Sequence, residues 1–414
     1  MLDQYFTRRC VLSRLRAGLF GPYLEQLADS LQQRGYSRTW IRTCLYASDK
    51  FGAWILRQGQ GIGDVTPALV RKYVDELKRT RDTQCPKAGC SLNHLVKLLR
   101  QEGVGREPSE QPSTDVERWL ERYDTYLEQV VGAAANTRDR YETIVRRFLV
   151  GRFGAGPVSW DTLTAEELSA FVFQDVSGRR GFGRKHPAVA IRSLLRFLVF
   201  GGEVVSGLDA AIPKVPQWQH QTLPRHLSAD HVTSLLASCD STTAMGRRDR
   251  AALLLLARLG LRAGEVVQLR LDDVDWHEGQ LRIRAAKTYW ERRLPLTLEV
   301  GEALVAYLRE GRPASAHREI FLGVRPPFAP FSGPTCVGWL VRRACRRAGF
   351  PLELQVGAHA LRHTAATQMV CQGASFKAVA DVLGHQSLQT TGIYAKLDLE
   401  ALAQVALPWP EVTP

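Results

Sequence analysis

A chain of 414 residues can form two or three domains, each with its own core. Its 45% apolar and 23% charged residues are those of a globular protein, and no apolar run approaches the roughly 20 residues that a membrane-spanning helix needs. The formal net charge of +13, carried by 45 Arg against 10 Lys, favours nucleic acid as partner over an anionic membrane surface, because arginine makes planar two-point contacts with phosphate.

The first five residues, Met1 to Tyr5, lack the basic and apolar regions of an export signal, so the eight cysteines are expected to be reduced thiols in the cytoplasm. Cys85, Cys90 and His94 form a local cluster. It lacks a fourth ligand and regular spacing, so ordinary thiols are expected there and no metal.

Three blocks follow one another. Residues 1–102 read as a helical domain and end in a polar linker, 103–114, rich in Gly, Pro and Ser. Residues 115–205 read as a second helical block, followed by a Pro-punctuated connector at 206–226. Both blocks open with an amphipathic stretch (Tyr23 to Leu27, Tyr126 to Val130) and close with a Thr-capped helix at Thr66 and Thr164. That likeness fits a duplicated module, and it fits chance similarity of capped helices as well. In the second block Arg138, Arg140, Tyr141, Arg146, Arg147 and Phe148 interleave. They read either as a phosphate-contacting helix or as a solvated basic face over a normal core, and the second reading is preferred.

The third block, 227–414, begins with a helix capped by Ser228. Ala251 to Leu261 is predicted to be a buried core helix. Leu271 to Trp276, Gln280 to Ala285 and Arg292 to Leu296 alternate as strands, with a turn at Glu278–Gly279. Helical periodicity then returns, with stops at Gly373 and Gly384. The expected fold is therefore mainly α, with a small antiparallel β-sheet in the last block.

Within that block, His359, Arg362, His363, His385 and Tyr394 fall inside 36 residues. His359 and Arg362, at i and i+3, share a helix face, whereas His363 is expected to point into supporting structure. His359 and His363 also have the i, i+4 spacing of a zinc-protease helix, but Ala360 stands where that chemistry needs Glu, which excludes it. Arginine can clamp two phosphate oxygens, histidine can move protons near neutral pH, and tyrosine can act as a covalent nucleophile. That mixture suits attack on a phosphodiester better than any other common chemistry. Tyr394 follows Ser387 to Thr391, which reads as a capped helix start.

The run His359 to His363, Leu383–Gly384–His385 and Ile393–Tyr394 resembles the signature of the tyrosine recombinases, the phage-integrase family. Leu259 to Val266 resembles the family's first arginine box, with Glu265 as acidic partner of Arg262. The hairpin Ala285 to Thr288 is similar to its lysine turn, although Ala286 replaces a glycine and Tyr289–Trp290 is bulky. The resemblance implies a multi-domain DNA clamp, with residues 115–205 as the core-binding domain and 227–414 as the catalytic domain. It implies that Tyr394 attacks phosphate to form a 3′-phosphotyrosyl bond. Arg262 and Arg362 would clamp the oxygens, Lys287 would protonate the leaving 5′-oxygen, and His359 and His385 would serve proton transfer and hydrogen bonding. No cofactor, ATP or metal is implied, because the tyrosyl ester retains the bond energy. The implied partners are double-stranded DNA and further copies of the chain, as a tetramer on paired sites. A tail helix at 398–407, with Leu399, Leu402, Val405 and Ala406 on one face, would make the contact between copies. The expected activity is site-specific recombination or integration, including transposition of a mobile element. A type IB topoisomerase and a catalytically silent DNA-binding protein are the alternatives.

Overall fold

The computed structural model describes residues 2–80, 87–104, 114–177, 185–204, 207–213, 225–284, 291–354, 356–385 and 391–397. Helices dominate them, and three short strands form one antiparallel sheet, as the sequence pattern predicts. Among the described residues no helix is long and apolar enough to cross a membrane. Backbone contacts divide the chain into two units, one of residues 1–60, 73–98 and 220–414, the other of 61–72 and 99–219.

The first block forms α1 (Arg9–Ala17), α2 (Gly21–Gln33), α3 (Arg38–Arg57), α4 (Pro67–Arg79) and α5 (Ala88–Gln101). The second forms α6 (Asp115–Gln129), α7 (Ala135–Phe153), α8 (Ala165–Ser177) and α9 (His186–Phe200). Thr66 Oγ1 accepts from Leu69 N at 3.2 Å, and Thr164 forms a reciprocal pair with Glu167, so both predicted threonine caps are present. Helices α2 to α5 run 13, 20, 13 and 14 residues, and α6 to α9 run 15, 19, 13 and 15. Apart from α1, each block thus holds four helices of 13 to 20 residues.

Tyr123, Leu127, Phe148, Leu168, Ile191 and Leu198 close the core of the second block. Three arginines of α7 already have acidic partners: Arg138 with Glu128 at 2.7 Å, Arg146 with Glu142 at 2.8 Å, and Arg147 with Asp175 at 2.7 Å, whereas Arg140 lies 3.5 Å from His186 Nε2. A phosphate on that face would have to displace carboxylates, which favours the solvated-face reading.

The last block builds α10 (Ala229–Ala237), α11 (Ala244–Ala257), α12 (Ala263–Gln268), strands β1 (Val274–Asp275), β2 (Gln280–Ile283) and β3 (Arg292–Pro295), then α13 (Leu298–Glu310), α14 (Pro334–Arg347), α15 (Ala358–Cys371) and α16 (Phe376–Leu383). Helix α11 is central. Residues 251 to 257 are buried on every side, because α13, α14 and α15 all pack against it. Each of Leu253 to Leu256 removes a whole side chain from water, worth about 2 kcal/mol apiece. Strand β2 pairs with β1 and β3, Leu281 lying opposite Leu294 and Arg282 opposite Arg293. The first predicted strand is shorter than expected. Leu271–Asp273 is a 3-10 turn, because Asp273 Oδ2 accepts from Arg270 N at 2.9 Å and bends the backbone locally. The tail predicted as helix at 398–407 and the turn that carries Lys287 lie outside the described residues.

Candidate active site

The site is assembled around the C-terminal end of α16. The last carbonyls of any helix lack intrahelical donors and carry the negative end of its dipole. Here three consecutive ones each receive an arginine. Arg292 Nε donates to Val382 O at 2.9 Å, Arg362 Nη2 to Leu383 O at 2.6 Å and Arg262 Nη2 to Gly384 O at 2.8 Å. Gly384 ends the helix in the left-handed conformation, at φ 63°.

Helix α15 contributes His359 and Arg362, and it ends before Gly373 as the sequence predicts. Arg362 is 3% exposed, and its Nη1 donates to Gly260 O at 2.6 Å, tying the turn after α11 to the end of α16. Gly260 sits at φ 62°, and a Cβ there would lie 2.5 Å from Leu383 Cδ2, so this turn needs glycine for both conformation and space. Burial, and then the charge of Arg262, push the Arg362 guanidinium down to about 10, so it stays charged at neutral pH.

Arg262 occupies the N-cap of α12, whose third residue, Glu265, turns back on it. Glu265 Oε2 accepts from Arg262 N at 2.8 Å, and Oε1 accepts from Arg262 Nη1 at 2.9 Å. Glu265 also takes a two-point bond from Arg292, at 3.0 and 2.8 Å. Burial pushes the carboxyl up, but Arg292 and then Arg262 outweigh it and hold the group below the usual range. Three guanidiniums thus face one carboxylate, leaving a positive excess suited to a phosphate. The sequence pattern marks Arg292 only as a strand residue. The available signal was its register: it shares a face of β3 with the buried Leu294.

His359 lies at the surface beside this cluster. Desolvation by its neighbours, then Arg362 and Arg262, hold its imidazole below the ordinary value. His385 Nδ1 is 2.8 Å from Thr391 Oγ1. Burial, followed by Arg362, Arg262, His363 and Arg292, pushes His385 down to about 4.

Tyr394 lies on a 3-10 turn, Gly392–Leu397; the helix start read at Ser387 to Thr391 lies, but for Thr391, outside the described residues. The turn is held by burial of Tyr394 against Ala366, Val370, Val379 and Leu383, which replaces helical periodicity as the determinant. Tyr394 is 1% exposed, and burial pushes its phenol up to about 12, with Arg362 opposing. Its Oη lies 2.7 Å from His363 Nδ1. His363 therefore belongs to the site and does not merely support it, because α15 turns it toward the packed tyrosine. The structure brings together Arg262, His359, Arg362, His385 and Tyr394. Lys287 lies outside the described residues, although Arg292, shortly after it, is in the cluster.

The depressed imidazoles carry a pH signature. His363 and His385 stay neutral down to about 4 in the fold, whereas an unfolded histidine takes a proton near 6.5. Between those values the unfolded state binds more protons, so stability must fall as pH falls. Each histidine contributes at most about 1.4 kcal/mol for every pH step of one. The melting temperature is expected to hold above pH 7 and to drop between pH 6.5 and 5.5, above the range where most carboxylates titrate. A His363→Asn, His385→Asn double variant should flatten that slope. An equally steep slope in the double variant would assign it to other groups.

Residues 225–400 match the model of the phage integrase family. The integrase/recombinase y4rA of Sinorhizobium fredii is 38% identical over 405 residues, covering 96% of this chain and 97% of that protein. The tyrosine recombinase XerD of Mycobacterium tuberculosis is 32% identical over 307 residues, covering 69% of this chain and 95% of that protein. Among solved structures, a lambda integrase tetramer bound to a Holliday junction shares the fold, with a TM-score of 0.53 at 18% identity over 75% of this chain and 87% of that one. With a near full-length relative at this identity, the chain belongs to the phage-integrase family of tyrosine recombinases, enzymes that break and rejoin DNA strands at specific sites.

Proposed function

We propose that Tyr394 attacks a scissile phosphate in double-stranded DNA and becomes esterified to its 3′ side. Arg262 and Arg362 hold the two non-bridging oxygens, where preorganised cations stabilise the charge that builds in the transition state. His359, at the surface beside both arginines, and His385 hydrogen-bond the same oxygens and relay protons. Lys287 protonates the departing 5′-oxygen, a role that rests on the resemblance of its turn. The ester keeps the bond energy, so resealing to a second strand needs no cofactor. The observation that carries this reading is the anchoring of Arg362 and Arg262 on adjacent carbonyls, Leu383 and Gly384, with Tyr394 packed against Leu383.

The N-terminal blocks serve as the DNA clamp, with 115–205 as core-binding domain and 1–102 extending the recognised site. The working assembly is a tetramer on paired sites, as lambda integrase forms on its junction, acting in the cytoplasm on a mobile element. The test is capture of DNA from a library of nicked suicide duplexes randomised around an inverted repeat. Wild type should yield a covalent protein–DNA adduct, and Tyr394→Phe none. An adduct that survives Tyr394→Phe would remove the assignment. Relaxation of any supercoiled plasmid without recombinants would favour a type IB topoisomerase.

A further inference from the structure

Tyr394 is the nucleophile in the reading above, and on that reading we propose that His363 holds the Tyr394 hydroxyl before attack and accepts its proton as the phosphotyrosyl bond forms. The resemblance points to His359 and His385 for proton transfer, but the geometry points elsewhere. The His363 and Tyr394 rings lie 5.6 Å apart at 59°, with Nδ1 at 2.7 Å from Oη. His385 instead directs its Nδ1 to Thr391. Because His363 follows Arg362 directly on α15, one rigid helix sets both a phosphate clamp and the group beside the nucleophile.

The direction of the hydrogen bond follows from the surroundings. His359 packs on His363 at 4.3 Å between ring centroids, and Arg362, His226 and His385 are its other charged or titratable neighbours besides Tyr394. All of these except the phenol are cationic or become so on protonation. Burial first, then His359, Arg362 and His226, push His363 down to about 4, so its ring is neutral at pH 7. The phenol, pushed up to about 12, keeps its proton. Tyr394 therefore donates, Nδ1 accepts, and the ring proton sits on Nε2. A bound phosphodiester brings negative charge to this cluster and makes a protonated His363 tolerable. Proton acceptance is thereby coupled to substrate binding, and free enzyme stays inert.

The step balances. The Oη–H proton passes to His363 Nδ1 as Oη bonds to phosphorus and the bond from phosphorus to the 5′-oxygen breaks. The 5′-oxygen takes its proton from the general acid. Resealing runs each transfer backwards, His363 returning its proton to Oη.

The test uses full-length protein and the duplexes captured by wild type, resynthesised with either a normal or a 5′-bridging phosphorothiolate linkage. A thiolate leaves without a proton, so that substrate removes the demand for a general acid. His363→Asn keeps an acceptor oxygen near the place of Nδ1 but cannot take a proton. Its single-turnover cleavage is expected to fall about 100-fold, within the usual range for losing a general base, on both substrates. Its rate should then climb with pH from 7 to 10 as the phenol ionises unaided. Added imidazole should restore His363→Ala. Wild-type rates in His363→Asn would overturn the proposal, and so would full rescue by the phosphorothiolate, since that would place His363 on the leaving-group side. A folding defect would depress both substrates without imidazole rescue or a rising pH profile, which also counts against the proposal. If wild type forms no adduct at all, the Tyr394 reading falls and this proposal with it. A wild-type adduct with an unimpaired variant overturns this proposal alone.

Discussion

Arg362→Lys is expected to slow strand cleavage about 1,000-fold, equivalent to about 4 kcal/mol of transition-state stabilisation. The guanidinium spends one N–H on Gly260 O and one on Leu383 O, both at 2.6 Å, and keeps three for a phosphate. A lysine ammonium has three donors on one atom and cannot reach both carbonyls while facing a phosphate. At 3% exposure, the carbonyl left without a donor has no water to replace it. The variant should therefore also melt several degrees lower. Single-turnover adduct formation on nicked duplex reads the first effect, and a thermal melt reads the second. Cleavage within tenfold of wild type would mean that Arg362 is an anchor for α16 and not a phosphate clamp.

The parts of this site that were legible in the sequence are those that depend on local spacing. His359 and Arg362 at i and i+3, the stop at Gly373, the Ser228 and Thr164 caps, and the turn at Gly279 each follow from one stretch of chain. What escaped depends on what lies across the fold. Arg292 meets Glu265 from 27 residues away, and nothing in the alternation of β3 says which partner an inward arginine will find. The role of the Val382, Leu383 and Gly384 carbonyls is invisible because backbone groups leave no mark on side-chain patterns. The role of His363 is not legible because adjacency to Arg362 says only that the two side chains diverge, and both directions are occupied, one by the carbonyl pair and the other by Tyr394. The 3-10 turn at Gly392–Leu397 escaped because burial of one aromatic ring, and no periodicity, decides its shape. Arg138, Arg146 and Arg147 of α7 show the converse: their spacing invites a phosphate reading, while Glu128, Glu142 and Asp175 already answer them.

Glu265→Gln should be strongly destabilising although it leaves side-chain volume intact. The side chains of Glu265 and Arg292 are 7% and 12% exposed, and the carboxylate is the counter-charge for Arg292 and Arg262 together. Removing one partner of a buried ion pair costs about 3–5 kcal/mol, because the remaining charge is stranded. For a domain of this size that is a fall of roughly 10 °C in melting temperature. The same rule predicts how to undo it. Combining Glu265→Leu with Arg292→Met removes the buried cation along with the carboxylate and leaves unpaired only Arg262, whose side chain is 36% exposed, so it should recover part of the lost stability. Cleavage should remain low in the double variant, because Arg262 then lacks the carboxylate that fixes its Nη1 and aims its guanidinium beside Gly384. A double variant that recovers stability and activity together would show that the carboxylate serves folding alone. One that recovers stability but not cleavage separates the two roles of Glu265, as counter-charge and as the group that aims Arg262.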